Sequence, residues 1–166
     1  MTTDLLFSLL EASGARKLLA VSCKPTSELD DPTRKLLAIE RAYWAARDVE
    51  WLLITPDQYD ETIELTLRNS FPWGLGEPIA DDAKRAATAL ARELEGFPLS
   101  YVLDRIDAAL GQGFEYAQGA FWQSVWTRAL PLDLRRGWRP HLPVEFLAPS
   151  DFLALNPIAS RRTAWN

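Results

Sequence analysis

The stretch 17–55, KLLAVSCKPTSELDDPTRKLLAIERAYWAARDVEWLLIT, decides the fold. Its first part, KLLAVSC (17–23), is a short apolar run with β-favouring residues, ended by Lys24-Pro25, and reads as a strand. A helix start follows. Asp31 has the side chain of an N-cap, and Pro32 suits the first helical position, where a missing N–H costs nothing. Leu36, Leu37, Ile39, Tyr43 and Trp44 then fall at helical spacing up to about Arg47. The run VEWLLI (49–54) reads as a buried strand closed by Thr55-Pro56. Working outward, LLFSLL (5–10) precedes a turn at Ser13-Gly14, so 5–10 and 17–23 form a hairpin. LLFSLL alone is compatible with either helix or strand, because periodicity does not resolve a six-residue apolar run. Downstream, Asp57 to about Arg68 reads as a second helix with Ile63 and Leu67 facing inward. Residues 1–70 are thus an α/β unit.

The segment NSFPWGLGEP (69–78), with two prolines and two glycines, is the best boundary in the chain. Beyond it the pattern turns helical: Asp81 to Leu94, Leu99 to Leu110 and Tyr116 to Leu130, the first two ended by Gly96 and Gly111. Pro131, Gly137, Pro140 and Pro143 then interrupt the pattern around a strand candidate, VEFL (144–147). Three helices followed by an arginine-bearing, strand-like excursion suggest a winged-helix module, a pattern shared by compact three-helix bundles.

Of the 166 residues, 48% are hydrophobic and 25% charged, with a formal net charge of -5. That is a globular composition with enough apolar mass for one core or two small ones. No run approaches the roughly 18 apolar residues of a membrane span, and the first twenty residues lack the basic start of a secretory signal. The single cysteine, Cys23, excludes an internal disulfide and a cysteine-rich zinc site, which makes a reducing, cytoplasmic setting the expectation. An acidic average does not advertise nucleic-acid binding. Residues 128–162 nevertheless hold Arg128, Arg135, Arg136, Arg139, Arg161 and Arg162 against only Asp133, Glu145 and Asp151. They form either a local basic stretch for DNA or a partner, or ordinary solvated arginines.

Chemistry concentrates where the hairpin ends. Strand residues two apart share a face, so Ser22 and Lys24 project together and Cys23 points away. With Asp4 beside them, one small surface holds a carboxylate, a hydroxyl and an ammonium. A hard cation such as Mg2+ (or Mn2+) takes oxygen ligands, and one or two carboxylates with waters and a substrate phosphate suffice. Asp4 and the backbone carbonyl of Cys23 are the candidate metal ligands. Lys24 would stabilise charge at a scissile phosphate or help activate water. This is the chemistry of the PD-(D/E)xK nuclease fold, although an Asp followed by SxK is by itself a weak signal.

The surrounding run is more specific. TTD (2–4), Lys24-Pro25, LDDP (29–32), Lys35-Leu36, IERAYW (39–44), Trp51 and Thr55 occur in the order found in the TnsA endonuclease subunits of heteromeric transposases, which this chain resembles. Residues 77–166, ending NPIASRRTAWN, resemble that family's C-terminal helical domain more loosely. The resemblance implies an α/β restriction-endonuclease-like (PD-(D/E)xK) partial domain at 1–72, truncated at its N-terminal end, followed by an all-α, winged-helix-like domain at 77–166. It implies an endonuclease cleaving the DNA 5′ strand at transposon ends with a divalent metal, beside a TnsB-like transposase and a TnsC-like ATPase. By position, Asp4 matches the family's metal-binding aspartate and Lys24 its active-site lysine. Ser22 stands where the family has a glutamine, a shorter and weaker partner. The family's catalytic glutamate lies upstream of the TTD element, so the resemblance implies either an N-terminally short relative or a chain that starts late.

Glu40 is the candidate substitute acid if it faces the sheet near Asp4. Otherwise it is a helix-surface acid paired with Arg41 or Arg47, or a buried acid bonded within the fold. The catalytic set is therefore Asp4, Ser22 and Lys24, and the DNA- or partner-binding set is Arg135, Arg136, Arg139, Arg161 and Arg162. An alternative function is a catalytically impaired assembly module that binds the TnsC-like ATPase and DNA. A further one is an unrelated DNA-binding winged helix with an α/β appendage. His141 sits between prolines without a nucleophile, Cys23 reads as core, and Gly111 and Gly113 end a helix rather than cradle a phosphate.

Overall fold

Alternating apolar side chains and a glycine turn give the first structural event, a hairpin. In the computed structural model, which describes residues 3–10, 13–136 and 138–165, β1 (Leu5–Leu10) pairs antiparallel with β2 (Arg16–Cys23), with Leu5 opposite Val21 and Leu10 opposite Arg16. Gly14 takes a left-handed φ of 82° at the turn, where an L side chain would be strained. Thr2, Glu11, Gly137 and part of the connection between the strands lie outside the described residues.

The helix α1 (Asp31–Ala45) follows β2 and crosses to β3 (Glu50–Ile54), which pairs parallel to β2 with Ser22 opposite Leu53. The cap differs by one residue from the expectation. Asp30, not Asp31, has the extended backbone of an N-cap, and its carboxylate accepts from Thr33 N–H at 2.9 Å. The face that packs also differs. Of the apolar positions, Leu37 and Trp44 turn to the sheet together with Glu40, while Leu36, Ile39 and Tyr43 are exposed. A helix with two neighbouring apolar stripes can bury only the one that meets the sheet.

The sheet order is β1-β2-β3, a small mixed sheet that with its helix fits an α/β endonuclease-like fold. The alternation of β2 and β3 separates two apolar clusters. Leu19, Val21, Leu52 and Ile54 face one way, and Ala20, Leu37, Trp51 and Leu53 the other, under α1. The outer edge of β3 is covered by the last residues of the chain. Leu53 N–H donates to Thr163 Oγ1 at 3.1 Å, and Leu53 C=O accepts from Ala164 N–H at 2.8 Å. Covering an edge in this way removes a template for intermolecular pairing.

The chain divides by contact into two compact units, Met1–Tyr59 with Ala154–Asn166, and Asp60–Leu153. The units are joined at places other than the Pro/Gly segment 69–78. Pro56–Gln58 forms a short 3-10 turn, with the Thr55 N–H held by the Gln58 side chain at 2.7 Å. The second helix, α2, therefore starts late, at Glu61–Gly74, capped by Asp60, and it belongs to the second unit. Pro72 lies in its last turn, so the i→i−4 bond it removes is close to the helix end. Gly74 is there for proximity: a Cβ would overlap the Trp126 indole. The NPIASRRTAWN ending, in turn, lies in the first unit rather than with the helices.

In the second unit, α3 (Asp81–Glu93) and α4 (Leu99–Leu110) agree with the sequence reading. The next helix, α5 (Phe114–Trp126), starts and ends earlier than expected, because Gly113 supplies its start and Arg128 turns left-handed after it. It is buried continuously from Ala117 to Val125 and packs against α2, α3 and α4. The VEFL segment forms no strand. It contributes only the isolated bridge of Phe146 to Leu132, with Pro143 just before it bridged to Pro98, since prolines at 131, 140 and 143 lack donors to extend a ladder. A last short helix, α6, spans Pro149–Ala154. Among the described residues no helix is long and apolar enough to cross a membrane.

Candidate functional site

The end of β2 collects the candidate residues in two groups, one exposed and one buried. In the exposed group, Asp4 lies just before β1 and its Oδ2 accepts from Cys23 N–H at 2.7 Å. The same oxygen lies 3.7 Å from Lys24 Nζ. Both side chains are partly open to solvent, with 37% and 29% exposure. Lys24 is fixed through its backbone, which continues the parallel ladder by donating to Ile54 C=O at 3.0 Å.

The buried group is built on Glu40, only 3% exposed. Its Oε1 accepts from Thr3 Oγ1 at 2.5 Å and from Ser22 Oγ at 2.7 Å. Each hydroxyl is in turn aimed by an indole: Trp44 Nε1 donates to Thr3 Oγ1 at 2.8 Å, and Trp51 Nε1 to Ser22 Oγ at 3.2 Å. Ser22 is fully buried, so its hydroxyl is committed to this network. Four donors in two steps converge on one carboxylate oxygen, which is how a buried acid is accommodated. Glu40 is not a helix-surface acid, and neither Arg41 nor Arg47 is its partner: Arg47 lies over the Tyr43 ring at 3.5 Å. The groups adjoin through Thr3 and Asp4, neighbours in sequence, and through Ser22 and Cys23. In the sequence Thr3, Trp44 and Trp51 are pattern and apolar positions without a site role; their placement around Glu40 and Ser22 becomes meaningful only once the hairpin is folded.

Cys23 is exposed rather than core. Partial burial of the thiol raises its pKa, the Asp4 carboxylate adds to this, and Lys24 opposes it. A thiol held protonated in this way is a poor nucleophile. Among the described residues no group of three His, Cys, Asp or Glu side chains is arranged to hold a metal ion. What the site offers a hard cation is one accessible carboxylate, Asp4, and peptide oxygen from Cys23, with Glu40 behind them. That donor set suits Mg2+ or Mn2+, which retain waters and share substrate phosphate, better than Zn2+.

The candidate arginines fall into two sets. Arg135 forks onto Asp133, with Nε at 2.8 Å and Nη2 at 2.9 Å, and Arg136 Nη1 meets Glu145 at 2.9 Å. Arg139 is exposed in the same loop of the second unit. Arg161 and Arg162 belong to the first unit. Arg161 faces Glu50 at 3.4 Å. Arg162 Nη2 donates to Ala154 C=O at 2.8 Å and Gln58 C=O at 3.2 Å.

The Arg135 fork holds the Asp133 carboxyl below its ordinary range. A depressed folded-state pKa gives stability that is present above the unfolded value, about 3.9, and is lost as pH falls through the folded value. Replacing Asp133 with Asn is therefore expected to flatten the acid limb of the unfolding profile below about pH 4. An unchanged limb would mean that the fork adds nothing.

Residues 1–56 match the family model described as TnsA-like endonuclease N terminal. No curated protein matches the chain. The segment that carries Asp4, Ser22, Lys24 and Glu40 is thus the matched one, and over it the chain is similar to TnsA-like endonucleases.

Proposed function

We propose that this protein is a transposase endonuclease subunit that cleaves the DNA 5′ strand at transposon ends, working with a TnsB-like transposase and a TnsC-like ATPase. The observation that carries the reading is the convergence of Asp4, Lys24 and the buried Glu40 on the end of β2, inside the segment similar to TnsA-like endonucleases. Asp4 and the Cys23 carbonyl would hold Mg2+ or Mn2+, which when bound would supply positive charge at the scissile phosphate and lower the pKa of a coordinated water. Lys24, paired with Asp4 and partly exposed, gives a proton or a hydrogen bond to a phosphate oxygen as negative charge grows there. Glu40 serves as the second acid from behind Ser22, which aims it. Cleavage of a transposon-end duplex in magnesium or manganese, with the partner proteins present, is the direct test.

In the second unit, the order helix, bridge, helix, helix, bridge, loop, bridge supports a winged-helix relationship. In that reading the loop with Arg135, Arg136 and Arg139 is the wing. The continuous burial of α5 leaves no face for a DNA groove, so this unit is assigned to contacts with the ATPase or the DNA backbone through the loop.

One observation favours a second reading, an assembly module with impaired cleavage. Asp4 Oδ2 is already engaged by Cys23 and Lys24, and Glu40 Oε1 by two hydroxyls. Titration with Mn2+ separates the two. Glu40→Gln is expected to weaken Mn2+ binding about tenfold, the low end for an outer partner of a metal site. Binding unchanged from wild type would remove Glu40 from the metal site.

A further inference from the structure

The tail that covers β3 also reaches the buried acid. Trp165 packs edge-to-face on Trp51, with ring centroids 5.7 Å apart. Trp51 Nε1 holds Ser22 Oγ, and Ser22 Oγ donates to Glu40. Trp165 is itself fixed: its N–H donates to Thr163 Oγ1 at 3.2 Å, the same oxygen that takes Leu53 N–H, and Arg41 lies 6.0 Å from its ring centroid. Further back, Arg162 ties the tail down by donating to Gln58 and Ala154, and Gln58 Nε2 returns a bond to Arg162 C=O at 3.1 Å.

We propose that Trp165 is a positioning residue for the site, setting the direction of the Glu40 carboxylate through Trp51 and Ser22. The physical basis is economy of alternatives. Ser22 has one hydroxyl proton, and the indole N–H that donates to its oxygen from the other side favours the rotamer that aims this proton at Glu40. The Trp51 ring sits among Ala20, Leu37 and Leu53, and Trp165 packs edge-to-face on it. The contact of Trp165 with the one indole that touches the site serine links the C-terminal segment to the chemistry. The assignment rests on the endonuclease reading for its consequence in cleavage, but not for its geometry.

The test uses the full chain. In Trp165→Ala, hydrogen exchange at Trp51 Nε1–H, resolved by NMR without metal or DNA, is expected to quicken about tenfold or more. The Mn2+ concentration for half-maximal cleavage is expected to rise about tenfold, as for other outer-shell losses. Trp165→Phe, which keeps a ring against Trp51, is expected to restore most of both. A melting temperature measured for each variant guards against global unfolding; should Trp165→Ala fail to fold, Trp165→Leu replaces it. Unchanged Trp51 exchange in the folded variant overturns the proposal. If exchange quickens while Asp4→Asn cuts as well as wild type, the positioning stands and the endonuclease reading falls.

Discussion

Replacing Asp4 with asparagine is expected to lower cleavage at a transposon end by at least about a hundredfold, since losing even an outer partner of a metal site costs about ten- to a hundredfold. Asparagine rather than alanine is the informative change. Its side-chain oxygen can still accept from Cys23 N–H, as Asp4 Oδ2 does at 2.7 Å, so the end of β2 stays in place. What disappears is the charge, and with it the attraction to Lys24 and, in the proposed function, the ability to hold a cation. Lys24→Ala should give a loss of similar order through a different route, because a lysine that stabilises developing charge acts on the reacting phosphate itself. Cleavage by both variants at the wild-type rate would refute the assignment of this site.

The second large effect concerns stability. Trp122→Ala is expected to destabilise the protein by about 3–5 kcal/mol, the usual range for removing a fully buried large aromatic. Trp122 has no solvent exposure, packs edge-to-face on Phe121 with centroids 5.1 Å apart, and lies 4.8 Å from the Trp138 ring. Its Nε1 donates to Gln118 Oε1 at 3.0 Å, so alanine also strands the buried amide of Gln118. Urea unfolding should show a lower midpoint with an unchanged slope. Trp122→Phe should cost less than half as much in packing while still losing the hydrogen bond. A loss below about 1 kcal/mol for the alanine variant would contradict the burial, given the size of a core aromatic.

What could be read from the amino acids depended on the range of the interaction. The hairpin, β3 and α4 were legible because short apolar runs, the Lys24-Pro25 and Thr55-Pro56 breaks, a Gly14 turn and a Gly111 stop act within a few residues. The start of α2 was harder. Asp57 and Asp60 are both credible caps, and Thr55-Pro56-Gln58 closes its own small turn, which leaves Asp60 to open the helix. Pro72 reads as a breaker but sits where a helix is ending anyway. At the site, Asp4 with Lys24 was legible from the hairpin, whereas the direction of Ser22 was not. Alternation puts Ser22 on the same face as Ala20, and that face is covered by α1, so the serine meets Glu40 instead of solvent. Alternation places Cys23 with the buried Leu19 and Val21, so its exposure comes from its position at the end of the strand. The return of residues 163–165 to β3 had no local signal, because its partners are 110 positions away.

That return has a bearing on the timing of synthesis. Leu53 leaves the ribosome long before Thr163 and Ala164, and the second unit is made in the interval. Until then β3 presents unpaired backbone and Trp51 lacks its neighbour, so the nascent first unit waits in an adhesive state while its own closing segment is still being translated. Closure across so long a loop is also slow to find. A protein arranged in this way closes its first unit only after residues 163–165 have been made, which ties the readiness of the site to synthesis of the second unit that precedes them.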